Sequence, residues 1–271
     1  DNSKINYSIT ATDLGYIIGP QLNSASRIND STLSSKILIS KNLIEIESIS
    51  KKLILLNEKR KLIENTIYEQ ALIQAKNQIN DRIILVHGFG WHKGVLGIVA
   101  SRLVEKFNKP SVVISEDQKL GTGSARSIEK IDLGNIILNA KLTGLLLSGG
   151  GHSMAAGLKI KNDLIKNFHD YLIKKFEKYD QSIFQKIDLY DIKLSVNEIN
   201  SNLLEYIEKL EPFGNDNEEP KFIVYGLKID HYKIIKEKHL LIFFKSDFGN
   251  NLRAISFNCI GTKLGENLIN N

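Results

Sequence analysis

Apolar residues recur with the period of a helix in the front part of the chain. Residues 43–78 contain no glycine or proline, and their large apolar residues are spaced at steps of three, four and seven with charged residues between them. This is the pattern of an amphipathic helix, which at 1.5 Å per residue would run roughly 50 Å. Such a helix either joins two domains or packs along one core. Residues 1–40, with Gly15, Gly19 and Pro20, predict a loop followed by a short helix.

Beyond residue 80, short apolar segments alternate with helical patterns. Strands are predicted over 82–87, 111–115 and 158–160, and helices over 95–107, 133–147 and 164–179. Strands that alternate with helices indicate an α/β domain over about 80–180. Glycine-rich residues 121–127 and 149–151 interrupt this pattern, and we interpret them as loops or turns.

A different pattern begins after residue 187. Segments 222–235, 239–245 and 252–257 are rich in β-branched and aromatic residues, and turn residues at 236–238 and 247–251 separate them. This pattern predicts an antiparallel β domain built from hairpins. A loop over residues 210–220 leads into it.

Composition adds little to this picture. The chain has 271 residues, 42% hydrophobic and 25% charged, which is typical of a globular protein, most simply of two domains. A formal charge of +5 leans weakly toward an anionic partner. Cys259 is the one cysteine, so an internal disulfide and a thiolate zinc site are excluded, and we expect a reducing, cytoplasmic setting.

Two further features concern the limits of the chain. No apolar run approaches the eighteen or so residues of a membrane helix, so we expect no contact with a membrane. The chain begins at Asp1 and its one methionine is Met154, from which we expect a piece of a longer protein.

Two glycine-rich clusters are candidates for phosphate binding. Three glycines precede His152, and the amides of Gly150 and Gly151 could approach a ligand closely while His152 donates a hydrogen bond to a phosphate or a ribose. A tight turn is the alternative. In the second cluster, Ser124 and Arg126 could grip a phosphate, although a solvated loop is equally consistent, and no P-loop lysine follows.

Three other side chains are weaker candidates. Trp91 and His92 stand before a predicted helix, where anions bind well; Trp91 could stack on a base or pack in a core, and His92 could bind or cap. Arg27 lies among small polar residues, where it could pair with a phosphate or with a carboxylate of a neighbouring domain.

The predicted β domain interleaves basic and aromatic residues. Basic groups can follow a nucleic-acid backbone while aromatic rings stack on bases; a barrel core with a lysine-covered surface is the alternative. These residues are Lys228, Lys233, Lys236, Lys238, Lys245, Arg253, Tyr225, Tyr232, Phe243, Phe244 and Phe257.

The acidic residues and histidines do not form a catalytic pattern. Two-metal phosphoesterases need converging carboxylates and histidines, yet the chain has no Asp-x-Asp pair and no Asp-His-His run, and its six histidines are scattered. We therefore expect no catalytic residue and no metal ligand in this chain.

In their order, several segments resemble the RecJ family of single-stranded-DNA exonucleases. Residues 19–27 resemble "GPxLNAAGR", residues 91–103 "WHxGVIGIVASRL", residues 124–127 "SxRS", residues 149–158 the "GGHxxAAGL" of DHHA1 domains, and residues 210–222 the start of the family's OB-type domain. A lone glycine-histidine motif would be weak, but the whole order is specific, and it covers nearly the whole chain.

The resemblance implies a fold, an activity and an arrangement of domains. It implies an α/β DHHA1-type domain plus a β (OB-like) domain, joined to a long connecting helix: residues 1–42 would be a remnant of the DHH domain, 43–79 the helix, 80–182 the DHHA1 domain and 183–271 the OB-like domain, incomplete at its C-terminus. The family digests single-stranded DNA from 5′ to 3′ with Mn²⁺ or Mg²⁺, bound by a DHH domain that would precede this chain.

The resemblance also implies roles for residues and partners. Arg27, Ser124 and Arg126 would hold the 5′-phosphate, and His152 with its glycines the nucleotide. Single-stranded DNA is the implied partner, and a single-stranded-DNA-binding protein is a further candidate. Ser24 and Ser26 depart from the family's alanine and glycine. Two alternatives stay open: a non-catalytic single-stranded nucleic-acid-binding module, or a DHH-type phosphoesterase acting on short oligonucleotides.

Overall fold

The computed structural model describes residues 9–28, 31–214, 216–246 and 251–270, which form two compact units. Asp13–Lys186 make up nearly all of the first, and the second consists of the residues from Ile187 onward together with Thr10–Thr12. The helices are α1 (Ala11–Asp13), α2 (Gly19–Ile28), α3 (Thr32–Ile39), α4 (Leu43–Lys76), α5 (Leu96–Phe107), α6 (Leu133–Leu142), α7 (Ile165–Phe176), α8 (Ser201–Glu208) and α9 (Lys263–Asn270). The strands are β1 (Ile84–Phe89), β2 (Ser111–Glu116), β3 (Leu120–Arg126), β4 (Ser148–His152), β5 (Ala155–Lys161), β6 (Ile192–Leu194), β7 (Phe222–Val224), β8 (Leu227–Ile235), β9 (His239–Ser246) and β10 (Asn251–Ser256). The predicted combination of an α/β domain, a long helix and a β domain is confirmed.

The long helix predicted from the apolar period is α4. It begins at Asn42, whose side chain accepts hydrogen bonds from the backbone amides of Ile44 and Glu45. Its first half packs on α2 and α3 through a cluster that contains Ala25 and Leu53, and its second half packs on α5 and β1. Within the first unit, α4 therefore contributes to two separate cores.

The loop predicted near the start of the chain was wrong. Gly19 and Pro20 open α2, and a single π-helical segment, Leu14–Ile18, leads into it. Proline is well tolerated in the first turn of a helix because its missing amide has no intrahelical partner there. The Gly-Pro pair therefore marks the start of a helix here and not a loop.

A five-stranded sheet in the order β1-β2-β3-β5-β4 forms the centre of the first unit. β1 and β2 are parallel, and the other pairs are antiparallel. One face packs on α6 and α7 through residues that include Leu85, Ile114 and Phe168. On the other face, α4 and α5 cover β1 and β2 through residues that include Val86 and Val113.

The glycine-rich segments are strands and not loops. The segment predicted as a loop at 121–127 forms β3, the middle strand, and residues 149–151 lie in β4 at the edge. In β3, Gly121 and Gly123 turn toward the core, where an added Cβ would lie 2.8–3.1 Å from the side chains of Ile114, Leu158 and Ile160. Small residues occupy these positions because the packing leaves no room for larger ones.

The opposite edge of this sheet is closed by Gln74 of α4 and by Gln78 in the turn that follows this helix. Gln74 exchanges hydrogen bonds with both the amide and the carbonyl of His87, and Gln78 does the same with Leu85. Two glutamines four apart in sequence thereby match two residues two apart on β1. They satisfy backbone groups that an edge strand would otherwise leave open.

The second unit contains a three-stranded sheet, β10-β9-β8, and a two-stranded parallel pair, β6-β7. The predicted hairpins are confirmed: β8 and β9 are antiparallel and join through residues 236–238, of which Lys236 and Glu237 have positive φ, and β10 pairs with β9 in the same antiparallel sheet. The second predicted turn lies largely in 247–250, outside the described residues. Leu240, Ile242 and Cys259 form a small core that α9 helps to cover.

Two predictions about the limits of the domains remain predictions. They are the boundaries at residues 42, 79 and 182, and a closing strand after the end of this chain. In the described ranges, no helix is both long and apolar enough to cross a membrane.

Candidate nucleic-acid interface

Three of the predicted site residues converge beside the start of α5. Arg27 lies at the end of α2, and its Nη1 donates a hydrogen bond to the carbonyl of Gly94, 3.2 Å away. Ser124 and Arg126 point from β3 toward Gly97 in the first turn of α5, where an added Cβ would lie 2.6 Å from Arg126 Nη2 and 3.1 Å from Ser124 Oγ. Gly97 therefore makes room for the guanidinium.

The electrostatics of this cluster favour an anion. Burial, and then the neighbouring charge of Arg27, lower the pKa of Arg126, although an arginine stays protonated in proteins. Neither arginine forms an ion pair with a carboxylate in the part of the chain that the structure describes. The start of α5 adds a partial positive charge. The guanidinium groups of Arg27 and Arg126 and the positive end of α5 therefore lie together, and no described carboxylate pairs with either arginine.

The sheet register extends this cluster across three strands. Arg126, Ala155 and His152 lie side by side in one row, and Ser124, Gly157 and Gly150 in the next. The following row contains Thr122, Lys159 and Ser148, and Lys161 comes after it on β5. Paired residues project from the same face of a sheet. We call these ten residues the polar sheet face; none of their side chains is large and apolar.

His152 ends β4 with its ring exposed to solvent. Its Nδ1 accepts a hydrogen bond from the amide of Met154 at 3.3 Å, so the neutral ring carries its proton on Nε2, which is left as a donor. An added Cβ would meet nothing within 4 Å at Gly150, but would lie 2.2 Å from the carbonyl oxygen of Ala155 at Gly151. Gly150 therefore opens the surface, whereas Gly151 is required by the strand pairing.

The remaining two candidates serve the local structure. Trp91 is 7% exposed, packs in the core under α4 and α5, and donates its indole hydrogen bond to Gln70. Of the two interpretations that the sequence leaves open for Trp91, packing is the one that the structure shows. His92 caps the turn before α5, since its Nδ1 accepts from the amide of Gly94.

The second unit presents a separate basic and aromatic surface. His231, Phe243 and Arg253 form one row on the outer side of its three-stranded sheet, and Lys233, Leu241 and Ile255 form the next. The rings of His231 and Phe243 stack with centroids 4.2 Å apart, and Arg253 is exposed. We call these six residues the aromatic sheet face. Phe244 instead packs on the core, as expected for part of the aromatic set.

The structure adds residues that the sequence did not single out. Gly97 contacts the arginine cluster, and Lys159 and Lys161 belong to the polar sheet face. The signal was the alternation of small and polar residues in 120–126 and 155–161, which has the period of a strand. Among the residues with described positions, no group of three or more His, Cys, Asp and Glu side chains could hold a metal.

Comparison with known proteins agrees with this architecture. The profile of the DHHA1 domain matches residues 78–179, and that of the RecJ OB domain matches residues 190–268. The chain belongs to the RecJ family. It is 30% identical over 261 residues to the single-stranded-DNA-specific exonuclease RecJ of Escherichia coli, covering 92% of this chain and 45% of that protein.

RecJ proteins of two other organisms show the same relation. The RecJ of Bacillus subtilis is 26% identical, with 93% of this chain and 32% of that protein covered. The crystal structure of Thermus thermophilus RecJ in complex with Mn²⁺ superposes with a TM-score of 0.80 at 26% identity, over 92% of this chain and 37% of that one. A second structure of that RecJ contains Mg²⁺, so divalent metals are used in the family. This chain spans less than half the length of these relatives.

Proposed function

We propose that this chain is the substrate-holding part of a 5′-to-3′ single-stranded-DNA exonuclease of the RecJ type, which acts in DNA repair and recombination. The observation that carries the proposal is the meeting of Arg27, Arg126 and the start of α5 without a described carboxylate. A terminal phosphate supplies the missing negative charge. A single strand offers such a group only at its 5′ end, so its capture sets the polarity of digestion.

Each residue of the cluster has a specific role in this proposal. The Arg126 guanidinium, which already rests on Ser124 Oγ at 3.2 Å and on the carbonyl of Ala125 at 2.9 Å, is held in place to bind phosphate oxygens. Arg27 binds the same phosphate from α2. The Nε2 donor of His152 and the bare backbone at Gly150 contact the next phosphate or sugar. An aligned guanidinium binds phosphate by charge and by paired hydrogen bonds.

The hydrolytic step is not assigned to these residues. Mn²⁺ or Mg²⁺ would activate water and neutralise charge in such a reaction, but the described residues include no suitable group of ligands. We therefore propose that the metals bind to a DHH domain outside this chain. On its own, the chain is expected to bind and not to cut.

A nuclease assay with parallel binding measurements tests the proposal. The 271-residue chain is mixed with 5′-phosphorylated or 5′-hydroxyl single-stranded DNA, with and without Mn²⁺. We expect tighter binding of the phosphorylated strand and no cleavage. Metal-dependent cleavage by this chain would contradict the placement of the metals.

Substitution of the guanidinium identifies the phosphate site. A charge-assisted contact contributes about 1.5–3 kcal/mol, so its loss lowers affinity roughly tenfold or more. Arg126→Ala should therefore lower the affinity for the phosphorylated strand by this factor and leave the affinity for the 5′-hydroxyl strand unchanged. Arg253→Ala, an exposed arginine of the second unit, is the matched control and should weaken both strands equally. If Arg126→Ala also weakens both equally, the terminal phosphate is not bound there.

That last outcome would favour a second candidate, a non-catalytic single-stranded nucleic-acid-binding module. The aromatic sheet face supports it, because basic groups beside a stacked ring suit any single strand regardless of its end. The same surface weighs against a phosphoesterase of very short oligonucleotides, which needs no second binding surface.

Two further expectations follow from a DNA substrate. Action on DNA would take place in the cytoplasm. A single-stranded-DNA-binding protein would be a natural partner because it occupies the same strands. Pull-down of that protein by the chain in the absence of DNA would test the second expectation.

A further inference from the structure

The polar sheet face continues well beyond the arginine cluster. Lys159 and Lys161 project from β5 on the same face as Ser124 and Arg126, because the register pairs Thr122 with Lys159 and Leu120 with Lys161. Both lysines are exposed, and the ammonium group of neither forms a hydrogen bond or an ion pair with the described residues. Their charges are therefore available to a ligand.

The surface between the arginines and the lysines is nearly bare. Ala155 and Gly157 are the residues of β5 that precede Lys159 on this face, and an added Cβ at Gly157 would meet nothing within 4 Å. As far as Lys159, a strand of nucleic acid lying along β5 could therefore contact the sheet closely; beside Lys161, the exposed Leu120 of β3 is the one large apolar side chain among the paired residues of β3, β4 and β5 on this face. The opposite faces of the same strands contain Ala156, Leu158 and Ile160 in the core.

The spacing suits a nucleic-acid backbone. Successive residues on one face of a strand lie about 6.8 Å apart, twice the rise per residue, which is close to the length of one nucleotide in an extended single strand. Counting from Arg126 in its row, the row of Ser124 comes second, that of Lys159 third and Lys161 fourth. One face thus offers a polar group at each nucleotide step.

We propose that the DNA backbone runs along β5, and that Lys159 and Lys161 bind the third and fourth phosphates counted from the 5′ end. The proposal rests on the proposed function, because the first phosphate is placed at Arg126. It names residues that make the enzyme prefer strands of several nucleotides over dinucleotides. The strand runs from the row of Arg126 toward Lys161, away from the start of α5.

A length series tests this path. Binding of 5′-phosphorylated oligothymidylates of two, four, eight and twelve nucleotides is measured for the wild-type chain and for the double variant Lys159→Ala/Lys161→Ala. We expect equal affinity for the dinucleotide and a loss of about tenfold at low salt from four nucleotides upward. The slope of the logarithm of affinity against the logarithm of salt concentration should become less steep by about 1.4, since each single-strand phosphate contact contributes about 0.7 to this slope.

Two control variants separate position from charge. Lys166→Ala/Lys174→Ala removes two exposed lysines from α7, which packs on the other face of the sheet, and should change neither the length dependence nor the salt dependence. Lys159→Arg/Lys161→Arg should restore binding because the charge remains.

The proposal is overturned if the double alanine variant binds twelve nucleotides like the wild type, or if it loses the dinucleotide equally. Its failure differs from failure of the proposed function. If Arg126→Ala keeps the full preference for a 5′-phosphate, the first phosphate does not bind at Arg126 and the proposed function fails at that point. The role of the lysines is tested separately, by how binding depends on strand length and on salt concentration.

Discussion

The two units present basic sheet faces of opposite character. The polar sheet face of the first unit has glycine, alanine, hydroxyl and basic residues, so its backbone is open to a ligand. The aromatic sheet face of the second unit places the stacked rings of His231 and Phe243 beside Arg253 and Lys233. Both faces carry positive charge, but the stacked pair of rings belongs to the second.

This difference teaches how one chain can divide the recognition of a single strand. A bare surface brings phosphates close to amides, hydroxyls and guanidinium groups, where position and end chemistry are distinguished. Rings stack on any base, which gives affinity without regard to the end. The first face should therefore recognise where a strand begins, and the second should hold the strand wherever it passes.

The largest effect on strand binding is expected from a substitution in the aromatic sheet face. Phe243→Leu keeps an apolar side chain but removes the ring, and base stacking contributes about 1–3 kcal/mol per base. Binding of long strands should fall about tenfold or more while the preference for a 5′-phosphate persists. Titration of phosphorylated and unphosphorylated strands measures both quantities.

An aromatic residue elsewhere in the second unit supplies the control. Tyr206→Ala removes an exposed ring from α8 and should leave binding unchanged. An equal loss in both variants would mean that stacking on the sheet is not what holds the strand.

The polar sheet face can be tested by adding bulk where there is space. Gly150→Val introduces a side chain whose Cβ would meet nothing within 4 Å, so we expect the free energy of unfolding to stay nearly constant. Binding should weaken by up to about tenfold, because the branched side chain keeps the sugar-phosphate chain away from the strand. Thermal melts and binding titrations give the two values.

Gly151 provides the opposite case on the same strand. Gly151→Ala should destabilise the fold by about 1–3 kcal/mol, because its Cβ would lie 2.2 Å from the carbonyl oxygen of Ala155. Unchanged binding by a stably folded Gly150→Val chain would show that the face need not be bare.

A smaller and more local effect is expected at Gly97. Gly97→Ala places a methyl group 2.6 Å from Arg126 Nη2, so the flexible guanidinium must shift. The preference for a 5′-phosphate should fall a few-fold, and stability should stay the same or rise by about 0.5–1 kcal/mol as a helical glycine is replaced. Fluorescence titration with matched 5′-phosphate and 5′-hydroxyl strands reveals the change.

Gly94 separates displacement of the guanidinium from disruption of the backbone. Its Cβ would lie 2.0 Å from the carbonyl oxygen of Arg27, so Gly94→Ala should lower stability and binding together. Retention of the full phosphate preference by Gly97→Ala would place the phosphate away from Arg126 Nη2.

The smallest expected effect is a change in how the stability of the first unit depends on pH. Burial lowers the pKa of His169, and the charge of His87 lowers it further, while Asp81 and Asp170 partly oppose this. The unfolded chain therefore takes up the proton first, near pH 6.5, and stability falls as pH drops from that value toward the folded pKa. The melting temperatures of the wild type and of His169→Gln should therefore approach each other as pH is lowered from about 6.5.

The second unit responds to stronger acid. Hydrogen bonds from Lys245 and His231 lower the pKa of Asp230, so its stabilising contribution is lost only as pH falls through the lower range of a carboxyl group. If His169→Gln leaves the acid sensitivity of the wild type intact, another group is responsible.

Much of the fold was predictable because it is encoded locally. The apolar period predicted α4, and Asn108, which takes a left-handed conformation, ends α5 where the sequence indicated. The strands β3 and β4 were mistaken for loops because glycine and serine favour turns in isolation. Their pairing in the sheet makes them strands, and one of these pairings, that of β3 with β5, spans the intervening α6.

The site was less predictable than the fold. Its residue types suggested phosphate, but nothing in the spacing brings Arg27 to Arg126 across about a hundred residues; the family resemblance supplied that association. The sequence left open whether Trp91 packs in a core or stacks on a ligand, because its burial depends on α4 and α5 packing over it. Side chains that bind are recognisable locally, whereas their convergence depends on tertiary structure.

The hydrogen bonds of Gln74, near the end of α4, and of Gln78, in the turn after it, have a consequence for the accuracy of the site. Gln74 and Gln78 fix the end of this helix to individual residues of β1, while its beginning is fixed to α2, which holds Arg27. α4 therefore sets the distance between the two arginines like a spacer of fixed length. One inserted residue would lengthen it by about 1.5 Å and turn one end by about 100°. Tolerance to insertion should be lowest in this helix, although it contains none of the proposed ligands.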